Sequence, residues 1–205
     1  MTTAEAMDAH RATPDERSQV VSALCSAFFD DRIYRWVVPD DAQRRRSTAV
    51  FYSRVVDACW PHGGVYAAGD GAGAALWVPP GKQLVADEQA ETFGRELVES
   101  AGDDASSARM AQLSQMIGDN HPVEACWYLA FMGVDPSAQG HGLGTRLLAA
   151  VLTQADRDQA SAYLEASCPA NRRLYERHGF QTTRELTVAD SPTIYAMWRP
   201  PTDLR

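Results

Sequence analysis

The sequence predicts one α/β domain spanning 1–205, a twisted mixed sheet with helices on both faces. Three observations carry that expectation. Short apolar runs rich in aromatic residues, such as ACWYLAFMGV (125–134) and AYLEA (162–166), have the length and composition of buried strands. Longer segments with apolar residues three and four apart alternate with them. The chain, at 205 residues, is long enough to bury a sizeable core without a disulfide or metal staple.

Each element has its own signal. Thr13-Pro14-Asp15-Glu16 has the form of a helix start, with a cap, a proline at the first helical position and a glutamate to close a capping box. That helix should run to about 29, with Val20, Val21, Leu24 and Phe28 on one face. DDRIYRWVVPDD (30–41) is expected as a loop carrying exposed aromatics. A second helix follows from about 41 to 60, ended by Pro61 and Gly63-Gly64.

GVYAAGDGAGAALWVPP (64–80) has the pattern of a hairpin turning at Asp70-Gly71, a pair that tolerates positive φ. The polar stretch 85–118 is expected as two helices broken at Gly102-Asp103. After the strand at 125–134, Leu143, Leu147, Leu148, Val151, Leu152 and Ala155 mark an amphipathic helix. AYLEA is the next strand, Pro169 opens a short helix closed by Gly179, and FQTTRELTV and TIYAMW end the chain as two strands.

Composition excludes several function classes. The net charge of −8 argues against a general nucleic-acid binder, which needs a basic face, although it suits a cationic partner. No stretch approaches 18 apolar residues, so no membrane partner or span is expected. Residues 1–13 lack the basic start and apolar core of a signal peptide, which points to the cytoplasm. Cysteines 25, 59, 126 and 168 form no C-x-x-C pair and no histidines have zinc spacing, so free thiols and no metal are expected.

The segment QGHGLGT (139–145) follows a strand and opens a helix, with glycines at 140, 142 and 144. A helix N-terminus offers unpaired N–H groups and partial positive charge, and glycines let an anion reach them. A phosphate or diphosphate on the amides of 140–145 is one reading. The dinucleotide fingerprint needs G-x-G-x-x-G and the Walker loop needs G-K-[ST], and neither is present. A flexible turn with no ligand is the other reading.

VDPSAQGHGLGTRLL (134–148) resembles the acyl-CoA signature of the GNAT superfamily of N-acetyltransferases, with Gln139, Gly142 and Gly144 at its fixed positions. YLEASCPANRRLYERHGF (163–180) is similar to the second half of that signature, with an Asn, a Tyr four residues on and a terminal Gly-Phe. The overall plan also resembles the puromycin N-acetyltransferase group. The resemblance covers 125–180 strongly and implies a sheet of about seven strands. It implies acetyl-CoA as co-substrate, an amine as acceptor, a cofactor-binding signature within 125–180 and acceptor-binding elements mostly within 14–81.

By the resemblance, main-chain groups of Met132, Gly133 and Val134 hold the pantetheine arm, with the Val134 N–H near the thioester oxygen. Gln139, Gly140, His141, Gly142, Leu143, Gly144 and Thr145 form the phosphate turn, and Asn171 binds pantetheine. Tyr175, on the helix face of Asn171, is the expected general acid. A packed structural tyrosine is the alternative.

Glu165 lies within an apolar strand, where a carboxylate is either functional or paired, here with Arg172 or Arg173. It is the candidate general base. Arg146, His141, Arg172 and Arg173 could meet the cofactor's phosphates as local positive charge on an acidic protein, with a solvated surface role the more ordinary reading for each. Asp30, Asp31, Tyr34, Trp36 and Trp77 are the acidic and aromatic residues available for a cationic acceptor.

The function expected is acetyl transfer from acetyl-CoA to a primary amine of a small molecule by direct attack, in a monomer or homodimer. Acetylation of a protein N-terminus or lysine is one alternative. A non-catalytic acyl-CoA sensor is another.

Overall fold

In the computed structural model residues 8–202 are described. The expectations for 1–13 and for a domain spanning 1–205 lie partly outside them. Seven strands form one sheet: β1 (His10–Arg11), β2 (Val65–Ala68), β3 (Gly73–Val78), β4 (Trp127–Val134), β5 (Ala162–Ala166), β6 (Gln181–Leu186) and β7 (Ile194–Arg199). Their order is β1-β2-β3-β4-β5-β7-β6. Only β4 and β5 run parallel; the other neighbouring pairs are antiparallel.

Side chains alternate across a strand, so the sheet carries two cores. On one face Ala74, Leu76 and Val78 of β3 meet α1 (Arg17–Phe28), α2 (Arg32–Val37) and α3 (Asp41–Cys59). The helices α4 (Asp87–Glu99) and α5 (Asp104–Asn120) add Phe93, Leu97, Met110 and Leu113 to the same face. On the other face Ala75 and Trp77 meet α6 (Leu143–Arg157) and α7 (Pro169–Glu176). All six apolar residues of the amphipathic stripe expected in α6 are buried. The hairpin turns where expected, with Asp70 at φ 50° and Gly71 at φ 83°.

The segment 30–41 departs from expectation. It contains the helix α2, capped by Asp31, whose Oδ1 accepts from the amides of Ile33 and Tyr34 at 2.9 and 3.2 Å. Ile33, Tyr34 and Val37 are buried, so Tyr34 is not an exposed loop aromatic. Six residues make too short a stripe for periodicity to stand out, and core packing supplies what propensity does not.

β4 is where the sheet opens. Its ladder with β5 joins Trp127, Tyr128 and Leu129 to Ala162, Tyr163 and Leu164, then stops. On its other edge Leu76 of β3 pairs with Phe131 and Trp77 with Leu129, which leaves Ala130 as an extra residue in β4. A bulge of this kind bends a strand and shifts its alternation by one. The shift is visible in the packing: Trp127 and Leu129 face the α6 core before it, Met132 and Val134 after it. Residues 130–134 thus continue past the end of the β5 ladder.

Candidate active site

Two cavities meet at this opening. The first, of about 450 Å³, runs along the free part of β4 to the start of α6 and is lined by Met132, Gly133, Val134, Gln139, Gly140, Gly142, Leu143, Gly144, Thr145 and Asn171. Arg177 also lines it, a cation that the sequence did not single out. The second, of about 340 Å³, lies against α1, α2, α3 and α5 and includes Tyr34, Tyr128 and Glu165. Phe28, Asp31, Met132, Asn171 and Tyr175 border both.

The turn into α6 leaves its amides open. Gly140 and Gly142 adopt φ 82° and 81°, a left-handed conformation that costs an L-residue strain, and no atom lies within 4 Å of where a Cβ would stand. Among the described residues, no backbone N–H of 140–145 donates to a backbone carbonyl. Several unpaired amides and the positive end of a 15-residue helix therefore converge on open space at the cavity wall.

Glu165 is half-buried, and alternation along β5 puts it on the same face as Tyr163. The Tyr128 hydroxyl donates to its Oε2 at 3.0 Å, while Oε1 is sequestered with no partner. Desolvation pushes the carboxyl up to about 7, partly offset by the nearby Tyr163 and Tyr128 hydroxyls. Among the described residues no cation pairs with it. Arg172 turns instead to Glu176 at 3.3 Å and lies 4.8 Å over the Tyr195 ring.

Tyr175 is buried in α7 beside Asn171, and burial pushes its phenol well above the usual range, so it stays protonated. Asn171 Nδ2 donates to Ser167 Oγ at 3.3 Å, and Ser167 Oγ donates to Asp31 Oδ2 at 2.6 Å. This chain ties the α7 side of the opening to the cap of α2. Tyr34 lines the second cavity and its hydroxyl lies 3.2 Å from Ser47 Oγ.

Other sequence candidates fall elsewhere. Trp77 is fully buried on the α6 face, edge-to-face with Trp127 at 6.4 Å, because β-alternation sends it away from the second cavity. Trp36 donates its Nε1 to Asp190 at 3.0 Å and borders neither cavity. Asp30 is exposed, 3.9 Å from Arg35. The His141 ring turns to the Ala138 carbonyl at 3.3 Å, outside the first cavity's wall. Arg146 pairs with Asp8.

Tyr128 and His121 were missed. The His121 ring sits edge-on to Tyr128 and Tyr163 at 4.6 and 5.4 Å, and burial lowers its pKa.

A sheet opened beside a helix-capping glycine turn, with a second cavity behind it, is the arrangement expected of an acyltransferase that brings two substrates together. Residues 80–182 match the family model described as an acetyltransferase (GNAT) domain, and the chain belongs to that family of N-acetyltransferases. An uncharacterized N-acetyltransferase of Schizosaccharomyces pombe is 25% identical over 193 residues, covering 85% of this chain and 74% of that protein.

Among solved structures, histone acetyltransferase HPA2 and related acetyltransferase from Corynebacterium glutamicum superposes with a TM-score of 0.68 at 24% identity, covering 95% and 96% of the two chains. Arylalkylamine N-acetyltransferase 2 of Aedes aegypti gives 0.63 at 16%, over 95% and 98%. Polyamine N-acetyltransferase of Drosophila melanogaster, which forms N-acetylagmatine, gives 0.63 at 15%, over 94% and 98%. At these identities the structural likeness speaks for the fold alone.

Proposed function

We propose that the enzyme transfers an acetyl group from acetyl-CoA to a primary amine of a small molecule, by direct attack. The observation that carries this reading is the meeting of two cavities at Met132, Asn171 and Tyr175: one suits a long anionic donor, the other a small acceptor. Acetyl-CoA supplies an activated thioester.

The amides of 140–145 grip its diphosphate, and Gln139 and Thr145 border the same wall. Main-chain groups of Met132, Gly133 and Val134 align the pantetheine arm along the part of β4 that β5 leaves free, with Asn171 opposite. Met132 and Tyr175 then flank the reacting carbon.

Free alkylamines are mostly protonated near neutral pH, so the attacking nitrogen must lose a proton. Glu165, with its carboxyl raised to about 7, takes that proton through Oε1, directly or across a water, while Tyr128 fixes Oε2. The Val134 N–H stabilises charge building on the carbonyl oxygen. Tyr175 gives its proton to the departing sulfur, and the second proton that the nitrogen sheds on becoming an amide restores the phenol. Burial raises the phenol, so it is protonated when the sulfur leaves.

The test is thiol release from acetyl-CoA across a panel of amines and short peptides, with calorimetry of coenzyme A. Turnover with small primary amines supports the reading. Absence of coenzyme A binding by the folded protein overturns it.

A further inference from the structure

Resting on that reading, we infer that the acceptor is an apolar primary monoamine, with an aryl or alkyl body and neither a second cation nor a carboxylate. The charges around the second cavity carry this. Asp31 and Glu165 are its only carboxylates among the described residues. Both Asp31 oxygens are occupied, Oδ1 by two amides and Oδ2 by Ser167. One carboxylate oxygen, Glu165 Oε1, is left with no partner at all, whereas Asp31 is already engaged as the cap of α2, so Glu165 is the free anchor for one ammonium.

Most of the rest of the wall is apolar, with Ser114 and the Tyr34 and Tyr52 hydroxyls among its uncharged polar groups. Val55, Leu84, Leu97, Met110, Leu113 and Ile117 face it from α3, α5 and the segment around α4. A second ammonium placed there would lose its water and gain no counter-charge. Aromatic faces can hold a cation, but Phe51, Tyr52 and Phe131 stand edge-to-face with one another at 5.2 to 5.6 Å and pack against each other. No Arg or Lys borders the cavity among the described residues, so an amino acid's carboxylate finds no partner either. His121 is the one basic side chain there, and burial favours its neutral form.

Two matched pairs test the inference on the full-length protein: butylamine against putrescine, and phenethylamine against phenylalanine. The expected result is kcat/KM higher by at least about 100-fold for the monoamine in each pair, the scale of an unpaired buried charge. Ile117→Glu adds a carboxylate to the apolar wall and should raise the putrescine-to-butylamine ratio at least about tenfold. Comparable or better turnover of putrescine or phenylalanine overturns the inference.

Calorimetry with the same four amines on coenzyme A-saturated protein separates the two readings. If no amine releases thiol, yet butylamine and phenethylamine bind and putrescine and phenylalanine do not, transfer is refuted and the acceptor class stands. Preferred binding of putrescine or phenylalanine overturns the acceptor class.

Discussion

The Tyr128 hydroxyl donates to Glu165 Oε2 at 3.0 Å across the parallel pair β4–β5, and Oε1 is left buried without a partner. One oxygen is held and the other is poised, in a site whose desolvation raises the carboxyl to about 7. In the proposed mechanism the ionised form is the base, so kcat/KM should rise with pH through about 7 and level off above it. Stability has the opposite sign. The folded carboxyl holds its proton above the ordinary 4.5, so its contribution is full below that value and is lost as pH climbs through about 7, on the order of 3 kcal/mol in all. Glu165→Gln should abolish the acid limb and flatten the fall of Tm over the same window. A variant that keeps the wild-type limb removes Glu165 from the role of base.

Tyr175 borders both cavities and stays protonated, as a proton donor to sulfur must. Tyr175→Phe keeps the ring and its packing on Phe180, whose centroid lies 5.9 Å away. It should lower kcat about 100-fold, within the range for loss of a general acid. Coenzyme A affinity should stay within about twofold by calorimetry, because the lost group acts on the leaving atom rather than on the bound arm. Unchanged kcat would reduce Tyr175 to a packing residue.

Gly133 is where α1 touches β4. A Cβ there would stand 2.5 Å from Ala27 Cβ, closer than atoms pack. Gly133→Ala should push α1 off the strand and cost about 1–3 kcal/mol in thermal or denaturant unfolding. Because Phe28, the last residue of α1, borders both cavities, activity should fall with it. Ala27→Gly removes the opposing atom, so the double variant should recover part of the loss beyond additivity. Purely additive losses would mean that the two positions are not in steric contact.

Much of this architecture was legible in the sequence because its signals are local. The stripe of Leu143, Leu147, Leu148, Val151, Leu152 and Ala155 fixes α6 by spacing alone, and the turn before it declares itself through glycines that φ 82° and 81° require. Asn171 and Tyr175 share a helix face for the same local reason. What was hidden depends on register. Tyr128 reaches Glu165 only because it pairs with Tyr163 in the β4–β5 ladder, a match between residues 35 apart. Trp77 is among the sequence candidates for the acceptor site, but strand alternation sends it to the α6 core, and no sequence pattern tells which face that is. The bulge at Ala130, which opens the sheet, arises from pairing with β3 and leaves no mark in the residue types of β4.

The proposed amide grip on the diphosphate has its own test at Gly142, the N-cap of α6. A Cβ there would meet nothing within 4 Å, so Gly142→Ala creates no clash; its cost comes from holding φ 81°, about 1–2 kcal/mol for an L-residue. The loop relieves that strain by turning its amides away from the cavity. Coenzyme A affinity should then fall about tenfold, since 1.4 kcal/mol is a factor of ten. Pantetheine, which has the arm and lacks the diphosphate, should bind wild type and variant alike, because the free segment of β4 is untouched. Calorimetry with both ligands separates the contributions. Equal loss for pantetheine would mean that the glycine shapes the whole cleft, and no loss for coenzyme A would mean that the amides of 140–145 do not carry the anion.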